Sequence, residues 1–306
     1  METRRIGTLD VSVVGLGCNN FGGRLDEART REVIDAALVE GVTLLDTADN
    51  YGGSLSETFI GRALAGRRDR VVLATKFGGW NAEAGRETGG SEANVRASVE
   101  ASLRRLDTDR IDLFQLHTPD AQTPIAETLA TLDELVREGK VREIGCSNLT
   151  AAQLGEADAA VLDGAARFVS VQNELSLLER GDLDDGLAEA ARLGLAYLPY
   201  FPLASGLLTG KVRRGEPVPD GTRIAGWATD RRDATLTDST FDRLEALERF
   251  ARDRGHTLLE LAFAWLLAQT PVASVIAGAT SGEQVRANVA AGEWRLDTDD
   301  LAAVPG

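Results

Sequence analysis

The chain alternates short apolar runs with longer segments of helical periodicity. The apolar runs show no alternation of apolar and polar positions, which is typical of parallel strands covered on both faces. They lie at 13–17, 42–46, 71–76, 111–117, 141–146, 168–173, 195–200 and 273–277. Helical periodicity lies at 26–40, 57–64, 91–106, 124–138, 151–160, 183–193, 239–254, 257–268, 282–291 and 299–304. The pattern predicts eight strand–helix units with additional helices near the carboxyl terminus.

Eight such units in 306 residues predict an α/β protein with a (β/α)8 TIM barrel. A short β-hairpin at 4–13 precedes the first unit, and the additional helices are extra carboxyl-terminal elements. Segment 201–235 is long and rich in Gly, Pro and Arg, which is typical of a functional loop. We expect a single barrel domain over 1–306. A doubly wound sheet is the alternative, but no GxGxxG motif follows the first strand.

Composition narrows the classes of function. The net charge of −15 argues against a surface for nucleic acid or for an anionic membrane. No stretch reaches about 18 apolar residues and the first residues contain no apolar signal core, so we expect a cytoplasmic protein with no membrane span. Cys18 and Cys146 have the spacing of neither a metal motif nor a disulfide framework. We therefore expect two reduced thiols and no metal site.

Chemically active residues stand at the predicted strand ends. In a barrel the carboxyl ends of all strands meet on one face, where catalytic residues lie. Lysine occurs only at 76, 140 and 211, and histidine only at 117 and 256. Taken singly, each residue at a strand end is compatible with a structural role, but the gathering of rare types favours a catalytic site. The residues at or just after these ends are Asp46, Tyr51, Lys76, His117, Ser147, Asn148, Gln172, Asn173 and Tyr200.

The group types indicate proton transfer to an oxygen atom. A tyrosine is a poor acid at neutral pH unless a nearby cation lowers its pKa from about 10. The Lys76 ammonium would supply that cation for Tyr51, and Asp46 would keep the ammonium charged and oriented. His117 could orient a carbonyl oxygen. Reduction of a carbonyl needs a hydride that no side chain supplies, so a nicotinamide or flavin cofactor is implied.

Six segments of the chain resemble motifs of the aldo-keto reductase superfamily. They are LDTADNYG at 45–52, ATK at 74–76, LH at 116–117, GCSN at 145–148, VQNE at 171–174 and YFPLASGLLTGK at 200–211. The ordered set is highly specific, and the resemblance covers nearly the whole chain. It implies a (β/α)8 barrel that uses NADPH, less often NADH, to reduce aldehydes and ketones. The expected partner is a small-molecule carbonyl substrate, and we expect a monomer or weak homo-oligomer.

The resemblance also implies residue roles. Tyr51 would be the proton donor, Lys76 and Asp46 would tune it, and His117 would help to place the carbonyl. The cofactor-binding residues implied are Gly17, Cys18, Asn19, Ser147, Asn148, Gln172, Tyr200, Phe201, Pro202, Leu203, Ser205, Gly206, Gly278, Ala279, Thr280, Gln284 and Asn288.

Within that set, each part of the cofactor has its own residues. Ser147, Asn148 and Gln172 would hold the nicotinamide carboxamide, and Tyr200 would stack on the ring. Segment 278–288 would bind the adenosine end.

Departures from the family pattern bear on the cofactor. Phe201 replaces a common serine, while Gly278 and Gln284 replace the lysine and arginine that often bind the 2′-phosphate. Arg286 or Ser281 could substitute, so the expected cofactor is NADPH, with NADH as the alternative.

Two other functions fit the same barrel. One is a cofactor-sensing regulatory subunit with little turnover. The other is a sugar isomerase or aldolase that uses Lys76 as a Schiff base or Asp46 as a proton abstractor. The sequence does not define the substrate, whose pocket walls we expect from Asn19, Asn20, Phe21, Trp80 and the loop that carries Trp227.

Overall fold

A β-hairpin precedes the barrel in the computed structural model, which describes residues 1–79 and 89–306. Strands β1 (Thr3–Ile6) and β2 (Leu9–Ser12) pair antiparallel around Gly7, whose φ of +56° favours glycine. The Thr8 backbone N and Oγ1 donate to Glu143 Oε1 at 2.7 and 2.5 Å. These bonds attach the predicted hairpin to the amino-terminal end of the barrel.

Within the described residues, eight parallel strands form one curled sheet. Neighbouring strands pair in the order β10-β3-β4-β5-β6-β7-β8-β9, with bounds β3 (Val14–Gly17), β4 (Leu44–Asp46), β5 (Val72–Phe77), β6 (Ile111–Leu116), β7 (Val141–Ser147), β8 (Phe168–Gln172), β9 (Ala196–Tyr197) and β10 (Val275–Gly278). Tyr197 N donates to Pro271 O at 3.1 Å, and Ala273 N donates to Tyr197 O at 3.0 Å. Because residues 271–273 lead into β10, these bonds close the sheet into the predicted barrel.

Helices surround the sheet. Their bounds are α1 (Glu27–Val39), α2 (Leu55–Ala63), α3 (Glu92–Leu106), α4 (Ile125–Arg137), α5 (Ala151–Ala159), α6 (Ala188–Leu193), α7 (Thr229–Thr235), α8 (Asp238–Arg252), α9 (Leu258–Leu267), α10 (Gly282–Ala291) and α11 (Thr298–Ala303). Polar side chains cap several starts: Asp26 accepts from Arg29 N before α1, and Thr257 forms a capping box with Glu260 at α9. These caps explain the agreement with the predicted boundaries at both sites.

The barrel interior is filled by side chains from the strands and the hairpin. Leu44, Leu113 and Ile276 belong to one buried cluster with Ile6 and Leu9 of the hairpin. Full burial of a Leu or Ile side chain contributes about 1.5–3 kcal/mol. The hairpin therefore acts as an apolar plug, and it leaves the carboxyl ends of the strands as the open face.

Three elements differ from the predicted ones. Strand β9 ends at Tyr197 instead of 200, although Leu198 N and Tyr200 N still donate to Val171 O and Asn173 O at 2.9 and 3.0 Å. The predicted helix at 183–193 begins as a π-helix, Leu183–Leu187, and becomes α-helical only in α6. The predicted loop at 201–235 contains α7, which has no buried residue and so no apolar periodicity to reveal it.

Candidate active site

A buried ion pair lies at the centre of the open face. Asp46 ends β4 and Lys76 lies near the end of β5, with 3% and 1% of their surfaces exposed. Lys76 Nζ donates to Asp46 Oδ2 at 2.7 Å and to Thr47 O at 2.9 Å. Burial alone would lower the pKa of Lys76, but the negative charge of Asp46 and its hydrogen bond to Nζ act in the opposite direction, and the pKa is raised. Lys76 is therefore an ammonium at neutral pH.

Tyr51 lies beside this ammonium, on the segment between β4 and α2. Lys76 Nζ is 5.3 Å from the centroid of the Tyr51 ring. Burial raises the pKa of the phenol above its ordinary value of 10, and the Lys76 charge opposes this rise without reversing it. The sequence-based expectation of a net lowered pKa is therefore wrong for the protein alone. The hydroxyl is protonated at neutral pH, as a proton donor must be.

His117 follows the end of β6 and faces Tyr51. The two ring centroids are 6.0 Å apart and the planes meet at 78°. Burial, assisted by the Lys76 charge, lowers the pKa of His117 from 6.5 to about 3, so the imidazole is neutral. Its Nδ1 is buried and has no hydrogen-bond partner among residues 1–79 and 89–306. A Cβ at Gly79 would lie 2.5 Å from this nitrogen, so glycine there leaves room beside it.

Amide and hydroxyl groups surround the next part of the open face. Asn148 has a φ of +61°, and its Nδ2 donates to His117 O at 2.9 Å and to Ser147 Oγ at 3.0 Å. The Tyr200 hydroxyl donates to Asn148 Oδ1 at 2.8 Å. Ser147 Oγ donates to Gln172 O at 2.6 Å. These bonds connect the predicted carboxamide-binding residues and Tyr200 into one network.

The sequence did not single out Gln115, which belongs to the same layer. Gln115 Nε2 donates to Asp46 Oδ1 at 3.1 Å, and Gln172 Nε2 donates to the same oxygen at 2.9 Å. Strand β6 contains two polar residues, Asp112 near its start and Gln115 near its end, and a polar residue within the apolar run near the strand end was the available signal. Its position opposite Lys76 in the pairing of β5 with β6 became clear only from the register.

A cavity of about 660 Å³ opens above these groups. Asp46, Tyr51 and His117 line it, whereas Lys76 lies beneath it. All the predicted cofactor-binding residues line the cavity except Ala279. Ala279 is buried with the apolar cluster of α1 and α10, and its carbonyl accepts from Asn20 Nδ2 at 3.3 Å. The lining residues are Gly17, Cys18, Asn19, Ser147, Asn148, Gln172, Tyr200, Phe201, Pro202, Leu203, Ser205, Gly206, Gly278, Thr280, Gln284 and Asn288.

Three cations that the sequence did not predict as site residues also line the cavity: Arg24, Lys211 and Arg223. Arg24 Nη2 donates to Gly221 O at 2.6 Å. Arg223 Nη2 donates in the opposite direction, to Asn19 Oδ1 at 3.1 Å and to Asn20 Oδ1 at 3.0 Å. These crossing bonds, here called the arginine strap, join two loops over the cavity. Among residues 1–79 and 89–306, none of the three cations has a carboxylate partner.

The expected pocket walls are only partly observed. Asn19 and Asn20 line the cavity, as does the loop that carries Trp227, through residues 219–223. Trp227 itself is not among the lining residues, and Phe21 is fully buried in the core. Phe21 packs inward because its loop turns back into the apolar cluster with Leu25. Trp80 lies outside the described residues.

Arg286, one of the two residues expected to bind the 2′-phosphate, lies in the second turn of α10. Arg286 is exposed and does not line the cavity. Its Nη1 lies 3.5 Å from the position that a Cβ would take at Gly282, so the guanidinium folds back toward the helix start. Ser281 is the N-cap of that helix and accepts from Gln284 N.

The described residues contain neither of two other kinds of site. Among the described residues, no group of three or more His, Cys, Asp and Glu side chains is arranged to hold a metal ion. No described helix combines the length and apolar character needed to cross a membrane.

Comparison with known proteins identifies the family. A model described as the aldo/keto reductase family matches residues 13–305. The chain belongs to this family. The finding confirms the resemblance inferred from the motifs, and with it the prediction of an NAD(P)H-dependent oxidoreductase.

Individual aldo/keto reductase relatives cover nearly the whole chain. The uncharacterized oxidoreductase YrpG of Bacillus subtilis is 36% identical over 96% of this chain and 91% of its own length. The aldo-keto reductase YhdN of the same organism is 34% identical over 95% of this chain and 88% of its own length.

Solved structures of the family have the same fold. A glycerol dehydrogenase, AKR11B4 from Gluconobacter oxydans, superposes with a TM-score of 0.84 at 32% identity, covering 99% of this chain and 93% of its own. The holo form of aldo-keto reductase AKR11C1 from Bacillus halodurans superposes with a TM-score of 0.80 at 32% identity, covering 99% of this chain and 95% of its own. These structures confirm the predicted (β/α)8 barrel.

Proposed function

We propose that this aldo/keto reductase reduces an aldehyde or ketone to an alcohol with NADPH, and that Tyr51 donates the proton. The observation that carries the proposal is the arrangement at the carboxyl ends of β4, β5 and β6. There a protonated phenol stands beside a buried ammonium and a neutral imidazole. We further propose a single-domain, cytoplasmic enzyme that is a monomer or a weak homo-oligomer.

Each side chain of the site has a separate role in carbonyl reduction. When bound, the nicotinamide supplies the hydride that no side chain can provide. The imidazole of His117 can donate a hydrogen bond to the carbonyl oxygen, because a neutral ring carries one N–H. Tyr51 gives its proton to that oxygen as negative charge develops there. The Lys76 ammonium stabilises the phenolate that is left, and Asp46 holds the ammonium in place.

The residues of the cavity fit a dinucleotide with phosphate groups. Arg24, Lys211 and Arg223 provide positive charge without carboxylate partners in the described chain. Gln172 donates through Nε2 to Asp46, which leaves its Oε1 as an acceptor for an amide N–H₂. Arg286 beside the start of α10 supports NADPH over NADH, since a helix N-terminus and a guanidinium both favour a 2′-phosphate.

A Schiff-base reaction at Lys76 is disfavoured by the same geometry. An amine must lose its proton before it attacks a carbonyl, but the neighbouring Asp46 carboxylate raises the pKa of Lys76 despite its burial. Lys76 Nζ also donates two hydrogen bonds that hold it beneath the cavity. We therefore place the sugar isomerase or aldolase alternative behind carbonyl reduction.

A steady-state assay tests the proposal and separates it from a regulatory subunit with little turnover. NADPH oxidation is followed with reactive aldehydes such as 4-nitrobenzaldehyde. Tyr51→Phe should lower kcat by about 100-fold or more, the scale of general acid catalysis, while the affinity for NADPH changes little. Tyr197→Phe is the matched control, because its hydroxyl bonds to Asp182 outside the cavity. Near-normal turnover by Tyr51→Phe would refute the assignment, and no turnover by the unmodified protein would favour the regulatory function.

A further inference from the structure

Gln115 is a fully buried polar residue on β6, which pairs with β5, the strand that contains Lys76. It is 0% exposed and pairs directly with Lys76 in the register of β5 and β6. Paired residues of parallel strands point to the same side of the sheet, so both side chains enter the barrel. On the other side, Gln115 pairs with Gly145, where a Cβ would lie 3.3 Å from Gln115 Cγ. Glycine at 145 thus leaves space for this long side chain.

The amide of Gln115 bonds in two directions. Its Nε2 donates to Asp46 Oδ1 at 3.1 Å, and its Oε1 accepts from Gln172 Nε2 at 3.4 Å. Gln172 Nε2 also donates to Asp46 Oδ1 at 2.9 Å. One carboxylate oxygen of Asp46 therefore receives two amide donors, while the other receives the Lys76 ammonium.

We propose that Gln115 is a positioning residue for proton transfer, which acts through Asp46 and Gln172 without touching the substrate. By donating to Asp46 Oδ1, it fixes the carboxylate in the orientation that holds Lys76 beside Tyr51. By accepting from Gln172 Nε2, it directs the Gln172 carbonyl oxygen toward the cavity. The inference rests on the proposed role of Tyr51 as the proton donor.

The second effect of Gln115 is electrostatic. Two amide donors offset part of the negative charge on Asp46, and that charge disfavours the Tyr51 phenolate. Without the Gln115 donor, the negative electrostatic potential that Asp46 creates at Tyr51 is stronger. The pKa of Tyr51 should therefore rise, and the phenolate should be harder to form during proton transfer.

Two substitutions at 115 separate positioning from packing. Gln115→Met keeps the length of the side chain but removes both hydrogen bonds. Gln115→Glu keeps the shape, and its carboxyl can replace both bonds only when protonated, since it then donates to Asp46 and accepts from Gln172. Gln269→Met is the matched control, because the Gln269 amide bonds to Trp265 O at the end of α9, away from the cavity.

The kinetic outcome should distinguish the variants. Gln115→Met should lower kcat for reduction about tenfold or more, while Kd for NADPH changes by less than about threefold. Gln115→Glu should regain activity as the pH falls, and Gln269→Met should match the unmodified protein. A pH-independent loss in Gln115→Glu equal to that of Gln115→Met would show that Gln115 only supports packing and would overturn the proposal, as would an unchanged kcat in Gln115→Met.

A tyrosinate absorbance titration tests Gln115 without turnover. The chain has three tyrosines, and Tyr51→Phe in each background identifies the Tyr51 signal. Gln115→Met should shift this signal to higher pH, and an unshifted titration would overturn the proposal. If the unmodified protein reduces no carbonyl, the proposed function fails, yet the titration still decides whether Gln115 controls Tyr51.

Discussion

Asp49 is a buried carboxyl group whose ionisation should cost stability. Its surface is 9% exposed, and Oδ1 has no hydrogen-bond partner in the described parts of the chain. Burial raises the pKa of Asp49 from 3.8 to about 7, and the charge of Glu57 adds to the rise. Arg105 and Lys76 act in the opposite direction but do not cancel it.

The sign of the effect follows from proton binding. A carboxyl whose pKa is higher in the folded than in the unfolded state binds more protons when folded, so stability falls as pH rises from 3.8 to about 7. The difference between these two pKa values corresponds to about 4 kcal/mol, because each pH unit contributes about 1.36 kcal/mol. Asp49→Asn mimics the neutral acid and removes this pH-dependent cost.

Urea unfolding at several pH values measures the difference. We expect the free energy of unfolding of Asp49→Asn to exceed that of the unmodified protein by up to about 4 kcal/mol at pH 8. The two free energies should converge as the pH falls toward 4. Asp184→Asn, an exposed carboxyl on the π-helix, controls for the loss of one negative charge. A stability difference between Asp49→Asn and the unmodified protein that is constant from pH 5 to pH 8 would refute the reasoning.

Three further predictions follow from the charges at the site. Lys76→Met should lower the rate of reduction by about 100-fold or more. Lys76→Arg should restore little activity, because the guanidinium is larger and planar. Full activity of the arginine variant would contradict the requirement for an ammonium group at this position. The pH profile of kcat should show no step near 6.5, since His117 stays neutral above about pH 3. A step near 6.5 that disappears in His117→Gln would show that His117 changes its charge there and would contradict this prediction. NADPH should bind about tenfold or more tightly than NADH, as judged by tryptophan fluorescence quenching. Arg286→Ala should remove most of that preference, whereas the control Arg249→Ala, at another exposed arginine, should leave it unchanged. Equal Kd values for the two cofactors in the unmodified protein would contradict the prediction and would indicate NADH as the hydride donor.

The strands and the catalytic face could be predicted because their signals are local. Each buried parallel strand is an apolar run, and Asp46, Lys76 and His117 stand at or next to the ends of such runs. The sequence did not indicate that β9 ends at Tyr197, because the extent of a strand depends on its pairing with the neighbouring strand.

The missed features depend on contacts between distant parts of the chain. Gln115 meets Asp46 and Gln172 through the register of five strands, β4 to β8, which no local pattern encodes. The arginine strap joins residues about 200 positions apart in the sequence, and its arginines resemble the many solvated ones. The raised pKa of Tyr51 is likewise a property of burial in the folded protein.

The arginine strap has a consequence for the solution in which the protein is handled. Arg24 and Arg223 bond to neutral oxygens, so their charges and that of Lys211 are not offset by carboxylates in the described chain. Such a group of cations attracts small multivalent anions even on a protein with a net charge of −15. Inorganic phosphate and sulfate should therefore compete with the phosphate groups of the cofactor. Affinities measured in phosphate buffer should be weaker than those in a zwitterionic buffer of equal ionic strength.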